Sequence, residues 1–341
     1  MKKIGILTGG GDCPGLNSVI RAIVRRGTQE GYQILGFRNG WRGVIENDSF
    51  ELNLSTVSGI LPKGGTILGT SRTNPYKKPE HVQKVKDTFK TNDLFGFIAI
   101  GGEDTLGVAS KLAKEGLRIV GVPKTIDNDL NGTDYTFGYD TALNIAMECI
   151  DRLHSTAESH NRVMVAEIMG RHAGWIALES GLAGGADAIL IPEVPFDINE
   201  VCELIKRRHA RGKTFSIIAV AEGATFKDGF ETQDQKLDEF GHVRLGGIGQ
   251  RVAELIEKMT GFETRVTVLG HIQRGGSPTA FDRVLGTRFG SHAVELVKEE
   301  KFGYMVCLRG RNIESVPLDV AVGTLKTVPP EYYKLANAFF G

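Results

Sequence analysis

Short runs of apolar residues recur along the chain, and several of them lead into a glycine-rich turn. KIGILT (residues 3–8) is followed by GGGDCPG and then by apolar residues at helical spacing, namely Leu16, Val19, Ile20, Ile23 and Val24. LFGFIAI (residues 94–100) and RVMVAEI (residues 162–168) are followed in the same way by GGEDT and MGRHAGW. Runs that are apolar throughout are typical of parallel strands covered by helices on both faces. The pattern predicts a doubly wound α/β fold with largely parallel sheets.

Other apolar runs predict further strands, and the chain length indicates how they are grouped. These runs are RIVGV (118–122), AILI (188–191), SIIAVA (216–221), TRVTVL (264–269) and YMVCL (304–308). A chain of 341 residues favours two domains, here two Rossmann-like lobes. No flexible linker separates them, which permits a chain that crosses between lobes more than once. The polar stretch at residues 227–241 predicts an exposed excursion or short hairpin.

Composition and charge restrict the class of protein. Lys plus Arg and Asp plus Glu number 41 each, so no overall field attracts nucleic acid or an anionic membrane, and we expect neither as a partner. The apolar runs are too short for a membrane helix, and MKKIGIL leaves no room for a signal-peptide core. The four cysteines are widely separated, without a CxxC pair, which indicates neither a disulfide framework nor a zinc site. The sequence predicts a cytoplasmic protein with reduced thiols.

The first glycine turn, GGGDCPGLN (residues 9–17), has two interpretations. It matches neither the P-loop nor GxGxxG, but adjacent glycines let backbone amides approach a phosphate, and Pro14 suits the first turn of the following helix. The alternative is a tight turn with glycines for steric reasons only.

The second glycine turn, GGEDT (residues 101–105), is open to two interpretations as well. Asp104 or Thr105 is suited to cap the following helix. Glu103 and Asp104 together also offer two carboxylates at a helix end, where phosphate-chelated Mg²⁺ is readily received.

The stretch VPKTIDNDL (residues 122–130) concentrates charge directly after an apolar run. Asp and Asn are common in turns, so the structural interpretation is a turn alone. The functional one is that Asp127 accepts the proton of a substrate hydroxyl during phosphoryl transfer, while Lys124 and Arg72 offset charge on the transferring group.

Further basic residues lie where predicted strands meet glycine-rich turns. Each alone is more often part of a surface ion pair, but arginine forks and an imidazole in this arrangement suit a phosphate monoester. The residues are Arg162, Arg171, Arg265, His271 and Arg274.

Taken together, these motifs resemble those of the 6-phosphofructokinases. The match runs through GILTGGGDCPGLN, GGEDTL, PKTIDND, AEIMGRHAGW, AEGA and TRVTVLGHIQRGGSP in family order and covers most of the chain. The resemblance implies a homodimer or homotetramer that uses Mg²⁺ to phosphorylate the 1-hydroxyl of fructose 6-phosphate in a cleft between two domains. It places the donor on residues 1–138 plus about 273–325, and the sugar phosphate on residues 139–272 plus about 326–341.

The resemblance also implies roles for individual residues. Asp127 matches the proton acceptor, Arg72 a residue that spans both reactants, and Glu103 the Mg²⁺-associated acid, where ATP-using relatives commonly carry aspartate. The donor phosphate loop is matched by Gly10 and Gly11. The surroundings of the sugar phosphate are matched by Thr125, Met169, Gly170, Arg171, Glu222, His271 and Arg274. The arginines that reach that phosphate from a neighbouring subunit are matched by Arg162 and Arg265.

Two positions depart from the ATP-using pattern and resemble the diphosphate-dependent branch. ATP-using enzymes usually have glycine at the positions of Asp104 and Lys124. A carboxylate at Asp104 would occupy the place of an α-phosphate, so charge and volume both oppose a nucleotide. Lys124 would then stabilise the transferring phosphoryl group and the departing phosphate.

Three other functions compete with this interpretation. An ATP-dependent 6-phosphofructokinase differs in its donor alone. A NAD or lipid kinase has a similar glycine-acid signature, but the GHIQRGG and MGRHAGW arginines argue against it. A catalytically silent sugar-phosphate sensor is disfavoured by the presence of Asp127.

Overall fold

The computed structural model describes residues 1–227 and 246–341, which form a seven-stranded and a four-stranded sheet. The strands are β1 (Lys3–Thr8), β2 (Gln33–Phe37), β3 (Ser49–Leu52), β4 (Leu94–Gly101), β5 (Ile119–Pro123), β6 (Val163–Ile168), β7 (Ala188–Leu190), β8 (Ser216–Ala221), β9 (Thr264–Val268), β10 (Tyr304–Arg309) and β11 (Asn312–Pro317). All but the first residue of the polar stretch 227–241 lies outside the described residues.

Helices connect and cover these strands. They are α1 (Leu16–Gln29), α2 (Trp41–Glu46), α3 (Pro79–Thr91), α4 (Glu103–Lys114), α5 (Tyr139–His160), α6 (Trp175–Ala183), α7 (Ile198–Ala210), α8 (Ile248–Thr260), α9 (Ala280–Lys298), α10 (Leu318–Gly323) and α11 (Pro330–Asn337), with short 3₁₀ helices at Pro75–Lys77 and Gly270–Arg274. Across the part of the chain that the structure describes, none of the helices has the length and apolar character needed to cross a bilayer.

The larger sheet has the order β11-β10-β5-β4-β1-β2-β3 and is parallel except at its two edges. Alternate residues of its central strands enter different cores. Ile98 and Ile100 of β4 pack in the cluster that contains α1 and α9, whereas Phe97 and Ala99 pack with α3 and α4 on the opposite face. Burial on both faces explains why β4 is apolar throughout.

The smaller sheet has the order β7-β8-β6-β9, and its strands are all parallel. Met164 and Ala166 of β6 face the cluster that includes α5 and α6, whereas Val163 and Val165 face α7 and α8. The predicted doubly wound α/β fold with largely parallel strands is therefore confirmed.

The chain passes between the two sheets more than once. It leaves the larger sheet after β5, builds the smaller one from β6 to β9, and returns through α9 to β10 and β11. The C-terminal α11 then lies against the smaller sheet, where the Tyr333 hydroxyl donates a hydrogen bond of 2.9 Å to the carbonyl of Ile189. The connections place the carboxyl ends of β1, β4 and β5 beside a second set of turns that follows β6 and β8.

Candidate active site

Three predicted turns meet at the carboxyl edge of the larger sheet. The amide of Gly9 donates to the carbonyl of Ile100 at 2.9 Å, and the amide of Lys124 donates to that of Gly101 at 2.9 Å. The buried Thr105 fills the space between the first two turns, since a Cβ at Gly9 would lie 2.5 Å from its Oγ1 and one at Gly101 2.3 Å from its Cβ. These glycines are required for the close packing of the turns.

The helix-cap interpretation of GGEDT is wrong. Helix α4 begins at Glu103, and its N-cap residue is Gly102, so neither Asp104 nor Thr105 occupies the cap position. Glu103 and Asp104 instead lie side by side in the first turn, half-buried, where the partial positive charge of the helix end favours carboxylates. The prediction that Pro14 lies in the first turn of the following helix is also wrong, because α1 begins at Leu16 and Gly15 is its N-cap.

The first glycine loop is held by two cations from distant parts of the sequence. The Lys124 side chain is 3% exposed, and its Nζ donates to the carbonyl of Gly11 at 2.5 Å. Burial lowers the pKa of this ammonium. From the other side, Arg274 Nη1 donates to the carbonyl of Asp12 at 3.2 Å, and a Cβ at Gly11 would lie 2.6 Å from the same nitrogen.

A segment that the sequence analysis did not assign completes the loop's support. Thr70 Oγ1 donates to the carbonyl of Gly10 at 2.6 Å, and the amide of Gly10 donates to the carbonyl of Ser71 at 3.2 Å. Gly10 has a φ of 79°, a left-handed conformation that favours glycine. The same contacts place Arg72, which is exposed, next to the loop. Only its proximity to Arg72 in the sequence could have pointed to Thr70.

The turn after β5 is a real turn and yet leaves a carboxylate oxygen without a partner. Thr125 Oγ1 accepts a hydrogen bond of 3.0 Å from the amide of Asp127, and Asn128 has a φ of 51°. Among the described residues, the buried Oδ1 of Asp127 has no hydrogen-bond partner. Such an acceptor is costly unless it has another use, and Asp127 Oδ1 is suited to accept a hydroxyl proton.

The second set of turns, from the smaller sheet, faces Asp127. The amide of Glu222 donates to the carbonyl of Ile168 at 2.8 Å, and that of Gly223 to the carbonyl of Gly170 at 3.2 Å. These bonds join the MGR turn after β6 to the turn after β8. Gly170 has a φ of 145°, and a Cβ there would lie 2.7 Å from the carbonyl oxygen of Ala173. Met169, Gly170 and Arg171 are thereby placed beside Glu222.

The carboxylates of the two sheets interact electrostatically. Burial, followed by the negative charge of Asp127, raises the pKa of Glu222 to about 7. The same two causes, in the same order, raise the pKa of Asp129 to about 7. The charges of Arg171 and Arg274 act on Glu222 in the opposite direction. A cleft that gathers acids and arginines from both sheets is suited to a ligand with several hydroxyls and a phosphate.

The 3₁₀ helix Gly270–Arg274 borders the same cleft. Its Arg274 reaches the glycine loop, as described above, while His271 is exposed. Thus Arg274 connects the loop of the larger sheet with a segment that follows β9 of the smaller one.

Arg162 and Arg265 lie away from this cleft in the same chain. They occupy the amino ends of β6 and β9, where Val163 is paired with Thr264. Both bind one carboxylate: Arg162 Nη2 lies 2.8 Å from Glu263 Oε1, and Arg265 contacts the same oxygen. Strand β6 has six residues and is about 20 Å long, so these arginines and Met169 lie at opposite ends of it.

The residues present fit a Mg²⁺ ion that arrives with its substrate. Within residues 1–227 and 246–341, no group of three or more His, Cys, Asp or Glu side chains is arranged to hold a metal ion by itself. Mg²⁺ is usually held by one or two carboxylates together with substrate phosphates. Glu103 lies near enough to the Asp127 turn for its charge to raise the pKa of Asp129.

Comparisons with known proteins agree with this geometry. The phosphofructokinase family profile matches residues 3–297. A pyrophosphate--fructose 6-phosphate 1-phosphotransferase of Streptomyces coelicolor is 59% identical, with 99% of this chain and 100% of that protein covered. An ATP-dependent 6-phosphofructokinase of Mycobacterium leprae is 55% identical, also over 99% of this chain and 100% of the other.

Similarity extends to a solved structure. Phosphofructokinase of Pichia pastoris in the T-state superposes with a TM-score of 0.84 at 32% identity, covering 99% of this chain and 36% of that longer chain.

Proposed function

Since this chain belongs to the phosphofructokinase family, we propose that it transfers a phosphoryl group from diphosphate to the 1-hydroxyl of fructose 6-phosphate. The products are fructose 1,6-bisphosphate and phosphate, and the reaction runs in both directions as a step of glycolysis and gluconeogenesis. One observation carries the proposal: the buried Lys124, directly after β5, contacts the glycine loop, and three residues later Asp127 has a carboxylate oxygen without a partner in the described residues.

The donor binds at the larger sheet. The glycine loop at Gly10 and Gly11 receives its phosphates, and Lys124 and Arg72 neutralise charge as the phosphoryl group moves. Asp104 occupies the first turn of α4 and opposes an α-phosphate by charge and volume. Glu103 would hold the Mg²⁺ that accompanies the diphosphate, and the ion, when bound, would supply positive charge to the phosphate oxygens.

The acceptor binds at the turns of the smaller sheet. Thr125 and Glu222 form hydrogen bonds with sugar hydroxyls. Asp127 takes the proton of the attacking 1-hydroxyl. Residues of the turns after β6 and β9 surround the sugar phosphate; these are Met169, Gly170, Arg171, His271 and Arg274. The domains that follow are residues 1–138 plus about 273–325 for the donor and 139–272 plus about 326–341 for the sugar phosphate.

A donor assay tests the proposal. We expect purified protein with fructose 6-phosphate and Mg²⁺ to form the bisphosphate with diphosphate at a kcat/KM at least about tenfold above that with ATP. A preference for ATP would replace this assignment with that of an ATP-dependent 6-phosphofructokinase. The absence of turnover with either donor would contradict both.

We propose further that the enzyme is a homodimer or homotetramer whose active sites are shared. Arg162 and Arg265 cannot reach the cleft of their own chain, since the length of β6 separates them from it, but their forks suit a phosphate presented by a neighbouring copy. We place the reaction in the cytoplasm, where the four cysteines, each with a free thiol in the described residues, remain reduced.

Mixing inactive variants tests the shared site. We expect Asp127→Ser and Arg162→Ala each to be nearly inactive alone and to regain activity under subunit exchange, because some sites then combine an intact Asp127 with an intact Arg162. Activity is measured with diphosphate, and mixed oligomers are verified by native mass spectrometry. The matched control mixes Arg162→Ala with Arg265→Ala, in which every site still lacks one arginine. Persistent inactivity of the first mixture would contradict sharing.

A further inference from the structure

Lys326 lies in the segment between α10 and α11, outside all the motifs considered so far. Its side chain nevertheless ends beside the turn after β5, which carries Asp127. Its Nζ donates three hydrogen bonds: to Asn128 Oδ1 at 2.9 Å, to the carbonyl of Thr133 at 3.0 Å and to that of Asp134 at 2.8 Å. An ammonium has three N–H donors, and all three are used by acceptors within residues 128–134.

The backbone of Lys326 is bound to the same turn. Its amide donates to the carbonyl of Asp129 at 2.8 Å, and its neighbour Leu325 forms a bridge with Leu130. Its carbonyl accepts a hydrogen bond of 2.9 Å from Trp175 Nε1 at the start of α6. Lys326 therefore joins the turn of the larger sheet to a helix that covers the smaller one.

Asn128 transmits this contact to Asp127. Asn128 is 3% exposed and has a left-handed backbone, with a φ of 51°. Asn adopts this conformation more readily than most residues other than glycine, and its surroundings hold it there. Here the determining bonds converge on its Oδ1, which accepts from Lys326 and from the amide of Thr136 at 3.1 Å. Asp127 is the adjacent residue, so its direction depends on this backbone conformation.

We propose that Lys326 is a positioning residue for phosphoryl transfer, whose ammonium fixes the backbone of Asn128 and thereby aims the carboxylate of Asp127 at the acceptor hydroxyl. The inference rests on the proposed function of Asp127. It concerns the rate of the chemical step rather than binding, because no atom of Lys326 has to contact the substrate.

The charge state of Lys326 supplies a specific signature. Burial lowers its pKa to about 8, against the opposing charges of Asp134, Asp129 and Glu179; Arg309 acts in the same direction as burial. A neutral amine has two N–H donors and cannot maintain all three bonds. The fraction of molecules in which the Lys326 ammonium makes all three bonds to this segment therefore falls as the pH rises through about 8.

Three variants test the inference with diphosphate as donor. We expect Lys326→Met to lower kcat about 10- to 100-fold, because a displacement near 1 Å in an active site has costs of this size. The KM for fructose 6-phosphate should stay within about threefold of the wild-type value, because the lost interaction acts on the transition state and not on binding. Lys326→Arg should retain most of the activity and keep it at higher pH than the wild type does, since a guanidinium does not lose its proton there.

The control is Lys301→Met, which removes a lysine whose Nζ donates a hydrogen bond of 2.7 Å to Ser315 Oγ of β11 rather than to the Asp127 turn; its kcat should not change. An unchanged kcat in Lys326→Met, or an alkaline decline at the same pH in Lys326→Arg as in the wild type, overturns the inference. If Lys326→Met does not fold, the pH profile of Lys326→Arg decides.

Hydrogen exchange separates this inference from the proposed function. In Lys326→Met, peptides that cover residues 124–136 should exchange faster while peptides of β4 and β6 do not change. Unchanged exchange in the turn overturns the positioning role. A wild type without turnover on either donor contradicts the proposed function, and the exchange result still shows whether Lys326 holds the turn.

Discussion

Asp127→Ser should lower kcat with diphosphate by about 10² to 10⁴, the range that positioned acid-base groups contribute. The physical reason is that the buried Oδ1 of Asp127 has no partner among the described residues and is suited to take the hydroxyl proton in the transition state. Binding of fructose 6-phosphate should remain within about threefold of wild type, because the loss falls on the transition state. Steady-state kinetics and calorimetric titration measure the two quantities separately.

The same variant should be at least as stable as the wild type. The charge of Asp127 raises the pKa of Glu222 and of Asp129, so removing it relieves repulsion in the folded state. For a carboxyl with a raised folded pKa, the contribution to stability is lost as the pH rises, here from 4.5 through about 7 for Glu222. That loss should be smaller in Asp127→Ser.

The control is Asp87→Ser, the same chemical change on α3, where Asp87 is exposed and accepts a hydrogen bond from Gln83. It should leave kcat unchanged. An Asp127→Ser enzyme that keeps more than about a tenth of the wild-type kcat would show that another group takes the proton.

The strands buried on both faces could be predicted from the sequence, whereas the antiparallel edge strands β3 and β11, and β2 beside β3, could not. The interior strands of both sheets are apolar runs in the sequence, and the structure confirms them; examples are β1, β4, β6 and β8. β3 and β11 are antiparallel edges whose residues are mostly partly buried or exposed, and two of the five residues of β2 are only partly buried. An apolar run is required only where both faces are covered, so these strands had no such signal.

The turns of the site could be predicted for the same reason, but the contacts between them could not. Glycines and acids after apolar runs indicated residues 9–17, 101–105 and 122–130, and these turns do meet. The contacts of Lys124 with Gly11 and of Lys326 with Asn128 join residues 113 and 198 positions apart, and no periodicity encodes such separations.

Arg162 and Arg265 show a different limit. They lie at the start of their apolar runs, whereas Arg171 and Arg274 follow such runs. The structure places Arg162 and Arg265 at the opposite ends of their strands from the cleft. Whether a residue lies before or after its strand, rather than its type, decides which end of a parallel sheet it occupies. The role of these two arginines toward a neighbouring subunit stays a prediction.

Donor preference is where a small change should have a large effect. We expect Asp104→Gly to raise kcat/KM for ATP, because it removes a charge and a side chain from the space that an α-phosphate would occupy. Asp104→Asn is the matched control: it keeps the volume and removes the charge, so its gain for ATP relative to that of glycine separates the two causes. The neighbouring diphosphate pocket changes as well, and diphosphate turnover should fall in both variants.

Adding Lys124→Gly should lower diphosphate kcat further, by about 10² to 10³, the cost of removing a group that stabilises developing charge in a site shielded from water. Lys124→Met preserves the buried volume and tests whether the cation, rather than the cavity, is responsible. Since the amide of Lys124 is bonded to Gly101 in the turn that carries Asp104, the two changes need not be additive, and their effects are compared in a full double-mutant cycle. Rates are measured with both donors at saturating fructose 6-phosphate and fixed free Mg²⁺. An Asp104→Gly variant with unchanged donor preference would leave diphosphate as the donor and eliminate charge and volume at this position as the reason, whereas a Lys124→Met enzyme with full diphosphate kcat would remove the lysine from the chemical step.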